Sequence, residues 1–183
     1  MNAIDRLLAN YSRQVSLPWS GNVAGKQRVW FAVYPPAEER RIRARLPQFE
    51  ELTLGAGHGW STVDLTGLFP EYLANHKYRE SIFKDPKHLK AGSKLEDRAV
   101  ELVSEACSHS DENSVVTITG LATLFDYMRV SSLIERIEDN VTGRLLVLFP
   151  GEYQGNIYRF MDARDGFNYM AAPITTTESF LTP

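Results

Sequence analysis

Apolar positions along this chain follow two alternating rhythms. Short unbroken runs rich in β-branched and aromatic residues, Arg28–Tyr34 (R-V-W-F-A-V-Y), Val115–Thr119 and Leu145–Phe149, have the content of strands buried on both faces. Between them apolar residues return every three or four positions: Ile4, Leu7, Leu8 and Tyr11; Ile42 and Leu46; Leu95, Ala99, Leu102, Val103 and Ala106; Val130, Leu133, Ile134 and Ile137. That is the spacing of helices with one face in a core. Gly59–Thr66 predicts a further strand, with Asp64 or Thr66 placed to cap the helix after it. Pro35-Pro36 ends the first strand, and a helix follows from Ala37 in which Glu39 and Arg43 stand four apart. Pro47 ends or bends that helix, and Phe49, Leu52 and Leu54 continue a second piece to Gly55. Thr119-Gly120 predicts a helix through Phe125 and Met128, and the last buried run stops at Pro150-Gly151. Ile157–Met161 and Tyr169–Ile174 read as added edge strands, open to antiparallel pairing.

Strands separated by helices require crossover connections, so the expected fold is α/β. It is a single three-layer αβα domain over residues 1–183, with a mainly parallel sheet of about four to six strands and a tail from about 175. The length fits one domain, and 43% hydrophobic with 23% charged residues is ordinary globular composition. One cysteine, Cys107, excludes an internal disulfide and suggests a reducing compartment. No apolar stretch approaches the roughly 20 residues that span a bilayer, and Asp5 and Arg6 stand where a signal peptide needs an apolar centre. The expected location is the cytoplasm, without a membrane partner.

Twenty Lys and Arg against 23 Asp and Glu give a net charge of -3, so any nucleic-acid contact needs a local patch. The stretch His76–Lys94 is the one basic segment, with Tyr78 and Phe83 among its charges. Basic residues with aromatics can track a single strand; Asp85-Pro86 and Ala91-Gly92-Ser93 favour a surface excursion instead. The run Glu38–Arg45 mixes both signs and reads as a solvated helix face. Trp19, in the loop Leu17–Gly21, reads as a plug over the core edge. Cys107 falls beside an apolar stripe, as core filler does.

Motifs for phosphate loops, dinucleotide binding, redox dithiols, nucleophile elbows and zinc proteases are missing from the sequence. His58, His76, His88 and His109 lack ligand spacing, so neither metal nor cofactor is expected. What remains is the segment after Pro150. In one reading Arg159 and Arg164 with the acids Glu152, Asp162 and Asp165 lock a loop, while Tyr153, Asn156, Tyr158, Phe167 and Tyr169 complete a docking surface, since Tyr and Arg dominate protein interfaces. In another the same residues fasten the sheet edge. An enzymatic alternative gathers Asp64, Glu152 and Asp162 around a divalent ion as a small hydrolase or nuclease. From the residues alone, no activity is assigned.

The ordered set S-L-P-W-x-G (Ser16–Gly21), Q-R-V-W-F-x-V-Y (Gln27–Tyr34), E-R-R-I-R-A-R (Glu39–Arg45), A-G-H-G-W (Ala56–Trp60), Y-R-E-S (Tyr78–Ser81) and F-P-G-E-Y…N-x-Y-R-F-M-D-A-R-D-G-F-N-Y…P-I (Phe149–Ile174) resembles the BrxB family of the BREX bacteriophage-exclusion system. The resemblance implies a bacterial accessory component without established catalytic residues. It implies partnership, foremost with PglZ, of the alkaline-phosphatase superfamily, and less directly with the PglX methyltransferase and the BrxC ATPase. Support of host DNA methylation and phage restriction is the implied role, and direct DNA contact stays open.

Overall fold

The computed structural model describes residues 1–89 and 94–177. It is α/β, with a single open mixed sheet of seven strands and seven α-helices among the described residues. The first helix, α1 (Ala3–Ser16), starts where the Asn2 side chain accepts from the Asp5 amide and stops at Leu17, held extended by the proline after it. Strand β1 (Val29–Tyr34) is buried throughout. Helices α2 (Glu39–Ala44) and α3 (Leu46–Gly55) lead to β2 (Gly59–Asp64). Then come α4 (Leu68–Ala74), α5 (Arg79–Lys84), α6 (Lys94–Ser108), β3 (Ser114–Thr119), α7 (Val130–Ile137) and β4 (Arg144–Gln154), followed by β5 (Ile157–Phe160), β6 (Phe167–Asn168) and β7 (Ala172–Ile174).

The hydrogen-bonded order is β2-β3-β4-β1-β7, every pair parallel, while β5 pairs antiparallel with β4 and with β6. Side chains alternate between two cores. Val29, Phe31 and Val33 of β1 and Leu145, Val147 and Phe149 of β4 join the buried faces of α4 to α7. Trp30, Ala32 and Tyr34 with Leu146 and Leu148 join Leu7 and Tyr11 of α1, Ile42 of α2 and Phe49 of α3. A relay runs through this second core: the Tyr11 hydroxyl lies 2.5 Å from Thr53 Oγ1, which donates onward to the Phe49 carbonyl at 2.7 Å. Cys107 is buried in the first core, as filler.

Trp19 does plug a core edge. Its ring stacks on His58 at 3.6 Å and meets Trp30 edge-on at 5.7 Å, with the Arg144 guanidinium 4.8 Å from its centre. Arg144 and Arg28 donate to the Ser20 and Gly21 carbonyls, which pins this loop to the sheet.

Several expectations change. The sheet is mixed, with seven strands where four to six are expected, because β4 does not stop at Pro150-Gly151. It runs on to Gln154 and reverses at Gly155-Asn156, whose φ angles of 57° and 65° suit a two-residue hairpin turn. The Tyr169–Ile174 strand shrinks to β7 and lies parallel to β1. The helix expected after Gly120 is one 3-10 turn, Leu121–Leu124, entered with Gly120 at φ 85°. Asp64 caps no helix: it accepts from the amide and hydroxyl of Thr66 at 2.9 and 2.5 Å, closing a turn ahead of α4. Arg43 does not pair with Glu39; it reaches Asp64 at 3.5 Å, while Glu39 accepts from the Tyr34 hydroxyl at 2.6 Å. Of the expected tail, Thr175–Thr177 is strapped to α1, its carbonyls accepting from Arg6 and Asn10 at 2.7–2.9 Å. Residues 178–183 lie outside the described residues, as do 90–93 of the basic stretch. No helix among the described residues is long and apolar enough to cross a membrane.

Gly151 is where β4 passes from one neighbour to another, and a Cβ there would stand 2.0 Å from the Arg159 carbonyl oxygen and 2.8 Å from the Phe149 ring. Gly151→Ala is expected to cost about 1–3 kcal/mol, as overpacking does. Gly55→Ala, where a Cβ meets nothing within 4 Å, should not destabilise. Urea midpoints of the two variants check this, and equal midpoints would contradict the crowding.

Candidate functional site

The segment after Pro150 folds back on the sheet as a meander of β4, β5 and β6, and its alternation divides it into two faces. The register Gly151↔Phe160, Tyr153↔Tyr158 and Tyr158↔Phe167 places the aromatics on the inner face. Tyr158 is fully buried, with Phe31 edge-on at 4.6 Å and Phe149, Phe167 and Tyr153 within 4.6–5.9 Å. Its hydroxyl donates to the Ala171 carbonyl at 2.8 Å, fastening the meander to the chain entering β7. Tyr169 stacks on Phe31 at 5.7 Å, donates to the Glu138 carboxylate and carries Lys26 over its ring at 5.9 Å. These rings cover the Phe31 side of β1, as α6 covers β2 and β3. Burial pushes the pKa of both phenols up, Tyr153 adding to it at Tyr158 and Glu138 at Tyr169, so both remain neutral donors.

Among the residues singled out from the sequence, Tyr158 and Tyr169 are therefore core, and Tyr153 and Phe167 are half-buried edges of that core. The solvent face carries Glu152, Gln154, Ile157, Arg159 and Asn168, all exposed. Glu152 and Arg159 stand opposite each other, at 3.8 Å and exposed, a pair of small energetic weight. Asn156 sits in the hairpin turn and accepts from the Tyr153 hydroxyl at 3.0 Å. Asp162, Arg164 and Asp165 are exposed on the loop from β5 to β6 and make no ion pair among the described residues. Charge therefore does not lock this loop, contrary to the expectation from its sequence. Backbone bonds hold it, Met161 N–H to the Pro150 carbonyl at 2.8 Å and Ala163 N–H to the Phe160 carbonyl at 3.0 Å.

Arg164, Asp165 and Phe167 converge with Phe125, Arg129 and Phe160 around a hollow of about 440 Å³, between this loop and the start of α7. Its aromatic lining is buried or half-buried and its charged lining exposed. Neither Phe125 nor Arg129 is a site residue expected from the sequence, which predicts a helix through Phe125 and Met128 where the chain turns with Asp126 at φ 69°. The Gly155-Asn156 dipeptide between apolar-rich segments was the signal for the hairpin.

The carboxylates of the enzymatic alternative do not gather. Burial alone would raise the Asp64 carboxyl, but Thr66 and Arg43 outweigh it and hold the group below its ordinary value, occupied in a turn. Glu152 faces Arg159 instead. Among the described residues no three His, Cys, Asp or Glu side chains come together to hold a metal ion. The fold and this surface define an α/β domain with an open sheet, part of whose core is covered by an aromatic meander with a polar outer face. The chain belongs to the family described as BREX protein BrxB, whose family model matches residues 62–174, from β2 through β7. Comparison with curated proteins and with solved structures returned no match.

Burial pushes the Cys107 thiol up to about 11. Over the window from about 9 to 11 the folded chain keeps a proton that the unfolded chain has lost, so stability falls as pH rises through it. Urea titrations at stepped pH should show a shallower fall for Cys107→Ala than for the parent chain. Parallel curves would contradict the burial.

Proposed function

We propose that this chain is a non-catalytic assembly subunit of a BREX anti-phage defence system, working in the cytoplasm and binding PglZ through the outer face of the β4–β5–β6 meander together with its β5–β6 loop and the hollow beside that loop. Membership of the BrxB family makes other BREX components its partners. One observation carries the choice of surface. The inner face of the meander is committed to the core, while Asp162, Arg164 and Asp165 stand exposed without ion-pair partners among the described residues, beside an aromatic-lined hollow. Charged groups of this kind stay hydrated in the free chain and are available to set the register of a partner. On this reading PglX and BrxC are reached through PglZ, and the chain supports methylation and restriction by holding the assembly together. The parallel body of the sheet, in a three-layer arrangement, serves as the scaffold.

Co-expression with PglZ followed by size-exclusion chromatography with light scattering tests the proposal. A co-eluting complex is expected. Reversing Arg159→Glu with Asp162→Arg and Arg164→Glu should weaken it by tenfold or more, roughly the loss of 1.4 kcal/mol, and leave the circular dichroism of the chain unchanged. A complex that survives these reversals would move the docking face elsewhere.

A further inference from the structure

The excursion between β2 and α6 plays no part in that proposal, yet among the described residues it carries two exposed aromatic rings beside unpaired cations. Among the described residues, Tyr78 and Phe83 are the only aromatic rings in the set of exposed large hydrophobic side chains, at 62% and 69% exposure. They stand five residues apart, at the start and near the end of α5. Around them are Lys77, Arg79, Lys84 and Lys87 against only Glu80 and Asp85. None of these charged groups enters a salt bridge among the described residues, whereas cations on α2, α6, α7 and β5 do. The chain as a whole is acidic, so this basic patch is a local departure.

The patch is also held in shape. The Tyr78 amide donates to His76 Nδ1 at 3.1 Å, and Arg79 donates to the Ala74 carbonyl at 3.2 Å. His88 Nδ1 lies 2.7 Å from Ser81 Oγ, which ties the turn Pro86–His88 back to α5. Lys77 Nζ stands 5.5 Å from the centre of the Tyr78 ring. Lys77, Tyr78, Arg79 and Lys84 border an open hollow of about 540 Å³, and Ile82 and Leu89 anchor the segment in the core.

We infer that this surface binds single-stranded nucleic acid, its lysines and arginine neutralising backbone phosphates while Tyr78 and Phe83 stack on bases. Rings interleaved with cations are the working parts of sequence-tolerant single-strand binding. An acidic protein partner fits less well, because lysine is depleted at protein interfaces and three of the four cations here are lysine. A double helix would leave the rings idle, since its bases are stacked on one another. This surface is separate from the meander, so nucleic-acid binding here does not depend on PglZ docking there.

Fluorescence polarisation of a labelled oligothymidylate of about 20 nucleotides, with the full chain, tests it. Four phosphate contacts on a single strand give a salt slope of about -3, so affinity should fall about 50-fold between 50 and 200 mM salt. Lys84→Glu with Lys87→Glu should flatten that slope by more than about one unit. Tyr78→Ala with Phe83→Ala should weaken binding roughly fivefold or more per ring while leaving the slope unchanged. All four side chains are exposed, and circular dichroism verifies that both variants fold. Three results would overturn the inference: no binding at 50 mM salt, binding indifferent to both double variants, or displacement by polyglutamate that is as tight without the rings as with them. The last would make the patch a site for an acidic protein.

Discussion

A strand inside a sheet must find hydrogen-bond partners along its whole length, and here β4 outruns both of the strands that flank it. Its pairing with β3 ends at Val147 and its pairing with β1 ends at Pro150, where Pro35 turns β1 away. Four more residues continue in extended form, and the first of them, Gly151, is buried, where a backbone cannot go without partners. The chain meets this need by reversing at Gly155-Asn156 and supplying β5 from its own sequence. Pro150 suits the junction because it offers no N–H to the lost neighbour, and its carbonyl takes up Met161. Gly151 suits it because only a residue without Cβ lets the Arg159 carbonyl come so close.

That reversal produces the division of labour across the meander. Alternation sends Tyr153, Tyr158, Phe160 and Phe167 inward onto Phe31 and Phe149, so a region of the first core that lacks a helix is closed by rings. The same alternation must send Glu152, Gln154, Ile157, Arg159 and Asn168 outward. The polar face is therefore a geometric by-product of closing the core, and its ion pair, Glu152 with Arg159, is exposed and of small energetic weight. This is why the meander can be proposed as a docking surface without asking the fold to give up any of its core contacts.

The strands and helices were legible where one rhythm runs long enough. The apolar content of β1 and β3 and the stripes of α1, α6 and α7 all appear in the structure near their expected bounds. Proline and glycine misled at β4, since Pro150-Gly151 looks like a stop to local reasoning, and only the tertiary position of Pro150, where β1 runs out, makes it a junction. The site was legible as a segment but not as a surface. Tyr158 and Tyr169 lie in one stretch with Asn156 and Arg159, and composition cannot separate them, because what sends Tyr158 inward is its parity in a strand whose register depends on the hairpin turn. Arg129 and Phe125 came from another part of the chain and carried no signal of their own.

The outer face of the meander, and not the helical surfaces, is proposed as the place where this family member meets its partner in the assembly. Amide hydrogen exchange on the chain alone and with PglZ addresses that claim residue by residue. Added protection is expected to be confined to peptides over residues 152–168 and the turn before α7, with the α1 and α5 surfaces unchanged. Protection gained on α1 or α5 with the meander unaffected would contradict it.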